Sequence, residues 1–250
     1  MTEPILAVEN LEVAYGAGSR ALHGVSLSVR ARSYVGLVGL NGAGKTTTLR
    51  AISGFSRFET ATVTGGRIRF GGIEITGWQP HQTCGVGISL VAERDKVFLT
   101  LTVQENLEIA VQGRRATREG QVIREVLDVF PALAGLRRRQ AGLLSGGERQ
   151  LLATAAALVS DPKLLLVDEA TLGLSPVAAD TVLEKFRELK EQRELTLLLV
   201  DQNVQAVLDV CDYSYVIANG VIVARGTSEE LEREGAIEEL GFGLSKEPTT

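Results

Sequence analysis

Gly39-Leu40-Asn41-Gly42-Ala43-Gly44-Lys45-Thr46-Thr47 satisfies the phosphate-binding pattern G-x-x-x-x-G-K-[ST] at every fixed position. Its surroundings fit as well. Tyr34-Val35-Gly36-Leu37-Val38 is a short apolar run with the character of a buried strand. Thr47 to Ser53 reads as the opening of a helix that Gly54 stops. Glycine accepts positive φ and has no side chain to block approach, so a glycine-rich turn can wrap a phosphate chain. Its N–H groups face the anion, and the helix N-terminus adds partial positive charge. In this reading Lys45 reaches the β- and γ-phosphates, and the Thr46 hydroxyl offers an oxygen ligand to magnesium.

Upstream, Ile5 to Tyr15 alternates apolar and polar residues, with Leu6, Val8, Leu11 and Val13 apolar. After the turn Gly16-Ala17-Gly18-Ser19, the span Ala21 to Val29 alternates again. Two such strands predict an antiparallel layer ahead of the phosphate loop. Tyr15 closes the first strand, where a ring can stack on a nucleotide base or simply finish a layer edge. Downstream, Gly65 to Ile75 reads as two short strands around a glycine turn, and Val86 to Val91 as a core strand. Trp78, Pro80 and His81 fall in a surface segment. From Thr102 to about Val159 the apolar spacing is helical, and Arg114-Arg115 and Arg137-Arg138-Arg139 form basic patches on that region.

Two stretches farther along carry chemistry. Ser145-Gly146-Gly147-Glu148 is a capping box at the head of the run Arg149 to Val159. A glycine pair at a helix start also exposes bare N–H groups suited to a phosphate. Leu164-Leu165-Leu166-Val167 is a fully apolar strand that ends in Asp168-Glu169. Paired carboxylates at the end of a buried strand are costly unless something binds them. In a phosphate-loop protein that predicts magnesium at Asp168 and an attacking water at Glu169. Val182 to Leu189 then reads as helix, Leu195 to Val200 as a buried strand ending in Asp201-Gln202-Asn203, and Tyr213 to Ala224 as a hairpin around Asn219-Gly220. The charged tail from Ser228 is helix-prone.

The 250 residues allow a large core, and 44% hydrophobic with 23% charged residues indicates a soluble globular chain. A net charge of −5 gives no global attraction to nucleic acid. Met1-Thr2-Glu3-Pro4 lacks the regions of a signal peptide, and no apolar stretch approaches the ~18 residues of a membrane span. Cys84 and Cys211 show neither ligand spacing nor a disulfide framework, so both are expected as small packing residues in a reducing compartment.

Together these motifs resemble the nucleotide-binding subunit of ATP-binding cassette (ABC) transporters, from about Ile5 to Gly226. Tyr15 matches the family's adenine-stacking aromatic, residues 39 to 47 its Walker A loop, and Leu164 to Asp168 its Walker B strand. Leu144-Ser145-Gly146-Gly147-Glu148 matches the signature motif, which other phosphate-loop proteins lack. Glu169 matches the catalytic glutamate, and Leu172 to Pro176 lies in the D-loop. Val97 to Leu107 is similar to the ATPases of branched-chain amino acid transporters. In that subgroup Glu93 often replaces a metal-binding glutamine, and Gln202 stands for the switch histidine, a hydrogen-bond donor that does not titrate near neutrality. Departures are Ala170 for the usual proline, Ala156 for an arginine, and Arg94-Asp95-Lys96 for a glycine-arginine sequence.

The resemblance implies an α/β fold, a P-loop NTPase (RecA-like) core with an N-terminal antiparallel β subdomain and an inserted α-helical subdomain. It treats residues 1–250 as a single ATPase domain: core and β layer at 1–92 and 161–226, helical subdomain at 93–160, tail at 227–250. It implies ATP and Mg2+, with Lys45, Glu169 and Gln202 catalytic. Gly39, Leu40, Asn41, Gly42, Ala43, Gly44, Lys45, Thr46 and Thr47 would bind nucleotide with Tyr15, Ser145, Gly146, Gly147 and Glu148. Thr46, Glu93 and Asp168 would serve the metal. The implied partners are a second ATP-binding subunit, like or unlike, membrane permease subunits and, for an importer, a solute-binding protein, with no nucleic acid. The implied place is peripheral, on the cytoplasmic face of the inner membrane. Two other readings are an ABC ATPase without transport and a regulatory subunit that holds ATP but turns it over poorly.

Overall fold

Strands with no polar residue need cover on both faces, and the central sheet supplies the reason. The computed structural model describes residues 3–16, 18–55, 61–94, 96–111, 116–192 and 194–233. Arg114-Arg115, Asp95 and the tail beyond Arg233 lie outside the described residues. The six-stranded sheet contains β3 (Tyr34–Val38), β6 (Ile88–Val91), β7 (Leu164–Asp168), β8 (Leu197–Asp201), β9 (Tyr213–Ala218) and β10 (Val221–Gly226). Its order is β10-β9-β3-β8-β7-β6, parallel except for the antiparallel β9–β10 hairpin. Alternate residues of one strand serve different cores. Leu165, Val167, Leu197 and Leu199 join a cluster with the helices, whereas Leu164, Leu166, Leu198 and Val200 join the cluster beneath the second sheet.

The second sheet has the order β2-β1-β4-β5, built from β1 (Leu6–Tyr15), β2 (Ser19–Val29), β4 (Ala61–Phe70) and β5 (Ile73–Glu74). It is antiparallel throughout, as the alternation in β1 and β2 predicts. The apolar series Leu6, Val8, Leu11, Val13 contains one step of three, which a flat strand would turn to the wrong face. A register shift between Val8 and Leu11 absorbs it, with Asn10 at φ 48° supplying the extra residue of the bulge.

The helices are α1 (Lys45–Ser53), α2 (Pro80–Gly85), α3 (Val103–Val111), α4 (Ala116–Val129), α5 (Pro131–Ala134), α6 (Gly146–Val159), α7 (Pro176–Gln192), α8 (Val204–Leu208) and α9 (Ser228–Arg233). Several expectations need correction. Helix α1 begins at Lys45, two residues before Thr47, and Gly54 caps it at φ 84°. The segment around Pro80 is a short helix capped reciprocally by Gln79 and Gln82. Helix α7 begins six residues before Val182, because its first turns carry no buried apolar residue and only Ser175-Pro176 announces them. Cys84 is exposed and is no packing residue, while Cys211 is buried.

Tyr34 is fully buried at the start of β3, with the Lys190 ammonium 5.4 Å from its ring centroid. Its hydroxyl has no hydrogen-bond partner among the described residues. An unpaired buried hydroxyl costs stability, so Tyr34→Phe is expected to stabilise the fold by about 1 kcal/mol in urea titrations. A loss of that size would instead reveal a partner for the hydroxyl.

Candidate active site

Parallel strands put their C-terminal ends on one edge, and three of those ends meet here. Val38 pairs with Asp201, and Asp168 with Val200, so the loops after β3, β7 and β8 emerge side by side. The loop after β3 is the glycine-rich segment. Gly42 and Gly44 adopt φ 79° and 108°, the left-handed region that favours glycine. Gly39 is needed for a different reason, since a Cβ there would lie 2.4 Å from the Ile217 carbonyl oxygen. The loop is braced by Ala43 N–H on the Leu40 carbonyl at 3.1 Å and Gly220 N–H on the Ala43 carbonyl at 2.9 Å. Leu40 and Asn41 are exposed on its outer side.

Lys45 is only 4% exposed. Its ammonium donates to the carbonyls of Gly39 at 2.9 Å and Leu40 at 3.2 Å, and stands 3.7 Å from Glu169 Oε1. The adjacent Thr46 hydroxyl donates to Asp168 Oδ1 at 3.2 Å. Thr47 is engaged at its own hydroxyl by the Tyr15 hydroxyl, 3.1 Å away. The first strand of the antiparallel sheet is thereby tied to the phosphate loop, a link that neither segment reveals alone.

The carboxylates are electrostatically loaded. Burial pushes the Asp168 carboxyl up to about 6, the charges of Glu169 and Glu93 push the same way, and the Thr46 hydroxyl opposes them. Burial likewise raises Glu169, against the lowering effect of Lys45, with Glu93 and Asp201 adding repulsion. Glu93 lines the same cleft as Asp168, and its own ion pair is with Arg94 at 3.0 Å. Glu169 has φ 49°, a left-handed conformation that costs a non-glycine residue about 1–3 kcal/mol. Its N–H is held by the Val200 carbonyl at 2.7 Å. Gln202 is half-buried in the neighbouring loop, next to Asp201.

The Ser145 group sits apart. Ser145 caps α6, accepting from Glu148 N–H at 3.2 Å while its own N–H donates to Glu148 Oε2 at 2.7 Å. That bond holds the Glu148 carboxyl below its ordinary range. Gly146 and Gly147 lie against the segment entering α7, where added Cβ atoms would fall 2.8 Å from Leu174 Cδ2 and 3.1 Å from Ala178 Cβ. Among the described residues no hydrogen bond or ion pair joins residues 145–148 to residues 39–47. The structure thus brings together Lys45, Thr46, Glu93, Asp168 and Glu169 and leaves the second glycine motif outside that cluster.

A cleft of about 980 Å³ runs between α1, β6 and α6, with Glu93, Lys96, Asp168, Ala153 and Ala156 among its lining. Lys96 donates to the amide oxygen of buried Gln150 in α6, a contact across 54 positions that neither segment announces locally. Burial lowers the Lys96 pKa, with Glu93 and Asp168 opposing that effect.

Comparison with known proteins bears on this geometry. The family model described as ABC transporter matches residues 22–172. A probable branched-chain amino acid transport ATP-binding protein LivF from Archaeoglobus fulgidus is 39% identical, over 93% of this chain and 98% of that protein. The branched-chain amino acid transport ATP-binding protein BraG from Pseudomonas aeruginosa is 37% identical, over 91% of this chain and 94% of that protein. A solved ATP-binding cassette of an ABC transporter, in its ADP conformation, superposes with a TM-score of 0.83 at 29% identity, covering 97% of this chain and all of the other.

Proposed function

Because the chain belongs to the ABC transporter ATP-binding family, we propose that it hydrolyses ATP to power uptake of branched-chain or related amino acids through separate membrane subunits. The observation that carries the mechanism is the split of the two phosphate-binding glycine motifs. Residues 39–47 and 145–148 do not meet within one chain, so a head-to-tail pair of subunits would bring the Ser145 edge of one to the phosphate loop of the other. Each ATP would then contact Lys45, Thr46 and Thr47 of one subunit and Ser145, Gly146 and Gly147 of the second, with Tyr15 against the base.

Within that site Lys45 exchanges the Gly39 and Leu40 carbonyls for phosphate oxygens, which suits a buried ammonium. Glu169, next to Lys45, orients the attacking water and takes up its proton. Gln202 donates an amide hydrogen bond to the terminal phosphate. The Thr46 hydroxyl and the Asp168 carboxylate present hard oxygens 3.2 Å apart, and Asp168 is buried beside other carboxylates that raise it, a donor set that fits a divalent cation such as magnesium. Bound there with Glu93 beside it, magnesium would neutralise charge developing on the phosphates. The cleft lined by Glu93 and Ala156 would receive a segment of the membrane subunit. Among the described residues no helix is long and apolar enough to cross a membrane. We assign residues 93–160 as the helical subdomain on the same reading.

A mixing experiment tests the shared site. Lys45→Ala and Ser145→Arg are each expected to abolish phosphate release alone. Mixed together, they regenerate one intact site per mixed dimer, and turnover returns. Absence of recovery, with both variants folded and the unaltered chain active, would refute a site shared between copies of this chain. For the substrate, loss of labelled leucine uptake on deletion of this chain is expected, and unchanged uptake would refute that assignment.

A further inference from the structure

Strands β7 and β8 carry the same five residues, Leu-Leu-Leu-Val-Asp, at 164–168 and 197–201. They lie side by side in the sheet and end in two buried aspartates with different partners. Asp168 faces the phosphate loop through Thr46. Asp201, 1% exposed, turns to the loop that follows the catalytic pair. Its Oδ2 accepts from Thr171 N–H at 3.1 Å and from the Thr171 hydroxyl at 2.9 Å. Its Oδ1 accepts from Asn203 N–H at 2.9 Å. The Asn203 contact is local and common in turns. The two Thr171 contacts span thirty residues and are not explained by local turn formation.

We propose that Asp201 is a positioning residue: its carboxylate clamps the loop carrying Glu169 to the loop carrying Gln202, and so holds Glu169 in its left-handed conformation beside Lys45. The inference rests on the assignment of Glu169 as the catalytic group. Three features support it. Among the described residues Asp201 has no ion pair, so its charge is met by neutral donors on two loops, a use of a buried carboxylate that stiffens both. Glu169 has an unfavourable φ that persists only where neighbours over-determine it. The neighbours that do so are the Val200 carbonyl on Glu169 N–H and Asp201 on Thr171, consecutive residues of β8 gripping both ends of a three-residue arc. Ala170, buried at the centre of that arc, has a side chain too small to fix it by packing alone. The clamp also joins Glu169 mechanically to Gln202, so a shift in either loop is transmitted to the other.

The test compares ATP hydrolysis, equilibrium binding of a fluorescent ATP analogue and thermal melting in Asp201→Asn, Thr171→Val and Thr171→Ser. In Asp201→Asn the amide sets donors against donors on one side of the clamp. Turnover is expected to fall about ten- to a hundredfold, the usual result of a small misplacement of a catalytic group. Nucleotide affinity should stay within about threefold, since the phosphate loop is untouched. Thr171→Val loses the hydroxyl donor alone and should show a smaller fall of the same kind, whereas Thr171→Ser keeps both donors and retains turnover. Unchanged turnover in both Asp201→Asn and Thr171→Val would overturn the proposal. So would losses of turnover and affinity that run together with the folded fraction, which is what a merely structural role produces. Should Asp201→Asn fail to fold, Thr171→Val decides alone. Glu169→Gln is measured alongside: if it leaves hydrolysis intact, the catalytic assignment fails, and if only Asp201→Asn and Thr171→Val are silent, the positioning role fails by itself.

Discussion

Glu169→Gln is expected to lower ATP turnover by about two to four orders of magnitude, the contribution of a well-placed general base, while ATP still binds. The amide has the shape of the carboxylate and leaves the Glu169 N–H bond to Val200 in place. What disappears is the negative charge that sits 3.7 Å from Lys45 and can accept a proton from water. Phosphate release measures the loss. Light scattering measures the corollary: with hydrolysis blocked, ATP should hold the variant as a dimer that falls apart without nucleotide. Turnover within tenfold of the unaltered chain would show that another group activates the water. A variant that binds ATP yet stays monomeric would point to an obligatory unlike partner. The same substitution separates the transporter ATPase from a subunit that holds ATP without using it, because only the former has turnover to lose.

Lys45→Ala should act one step earlier, on binding. The ammonium is almost wholly buried and is the cation that faces both the glycine loop and Glu169. Removing one partner from a buried charge cluster costs about 3–5 kcal/mol, which corresponds to about two to four orders of magnitude in the dissociation constant for ATP. Titration with a fluorescent nucleotide measures it. Lys45→Arg is expected to rescue poorly, because a planar guanidinium does not fit a pocket shaped for a compact ammonium. The two variants thus differ in kind: one binds and does not turn over, the other does not bind. Near-normal affinity in Lys45→Ala would mean that backbone N–H groups carry the phosphates unaided.

The local form of the candidate site's parts was legible because each part is contiguous. Residues 39–47 form one loop, residues 145–148 one helix cap, and Asp168-Glu169 one strand end, so residue type and spacing pointed to the turn, the cap and the strand end. Strand β8 and the closing hairpin were legible for the same reason, as runs bounded by clear turn residues. The apolar pattern of helix α7 starts only at Val182 because its first turns face solvent, and helix patterns are visible only where one face is buried. The short helix at Pro80 has no clear signal in the sequence, because its cap uses Gln79 and Gln82, outside the strongest capping types.

What the chain order alone determined was the composition and local form of each loop: a glycine-rich turn with its lysine, an acidic pair after a buried strand, and a capped glycine pair. What only the tertiary structure decided was which loops face one another. The hydroxyl of Tyr15 against Thr47, Lys96 against Gln150, and Asp201 against Thr171 each join residues about thirty or more positions apart. The repeated Leu-Leu-Leu-Val-Asp strands show why. Five identical residues end in aspartates with different tasks, one turned to the phosphate loop and one to the arc behind Glu169. Local sequence fixes the burial and direction of a strand, but the partner of a group at its end is set by the neighbouring strand's loop, and that neighbour is chosen by the order of the sheet.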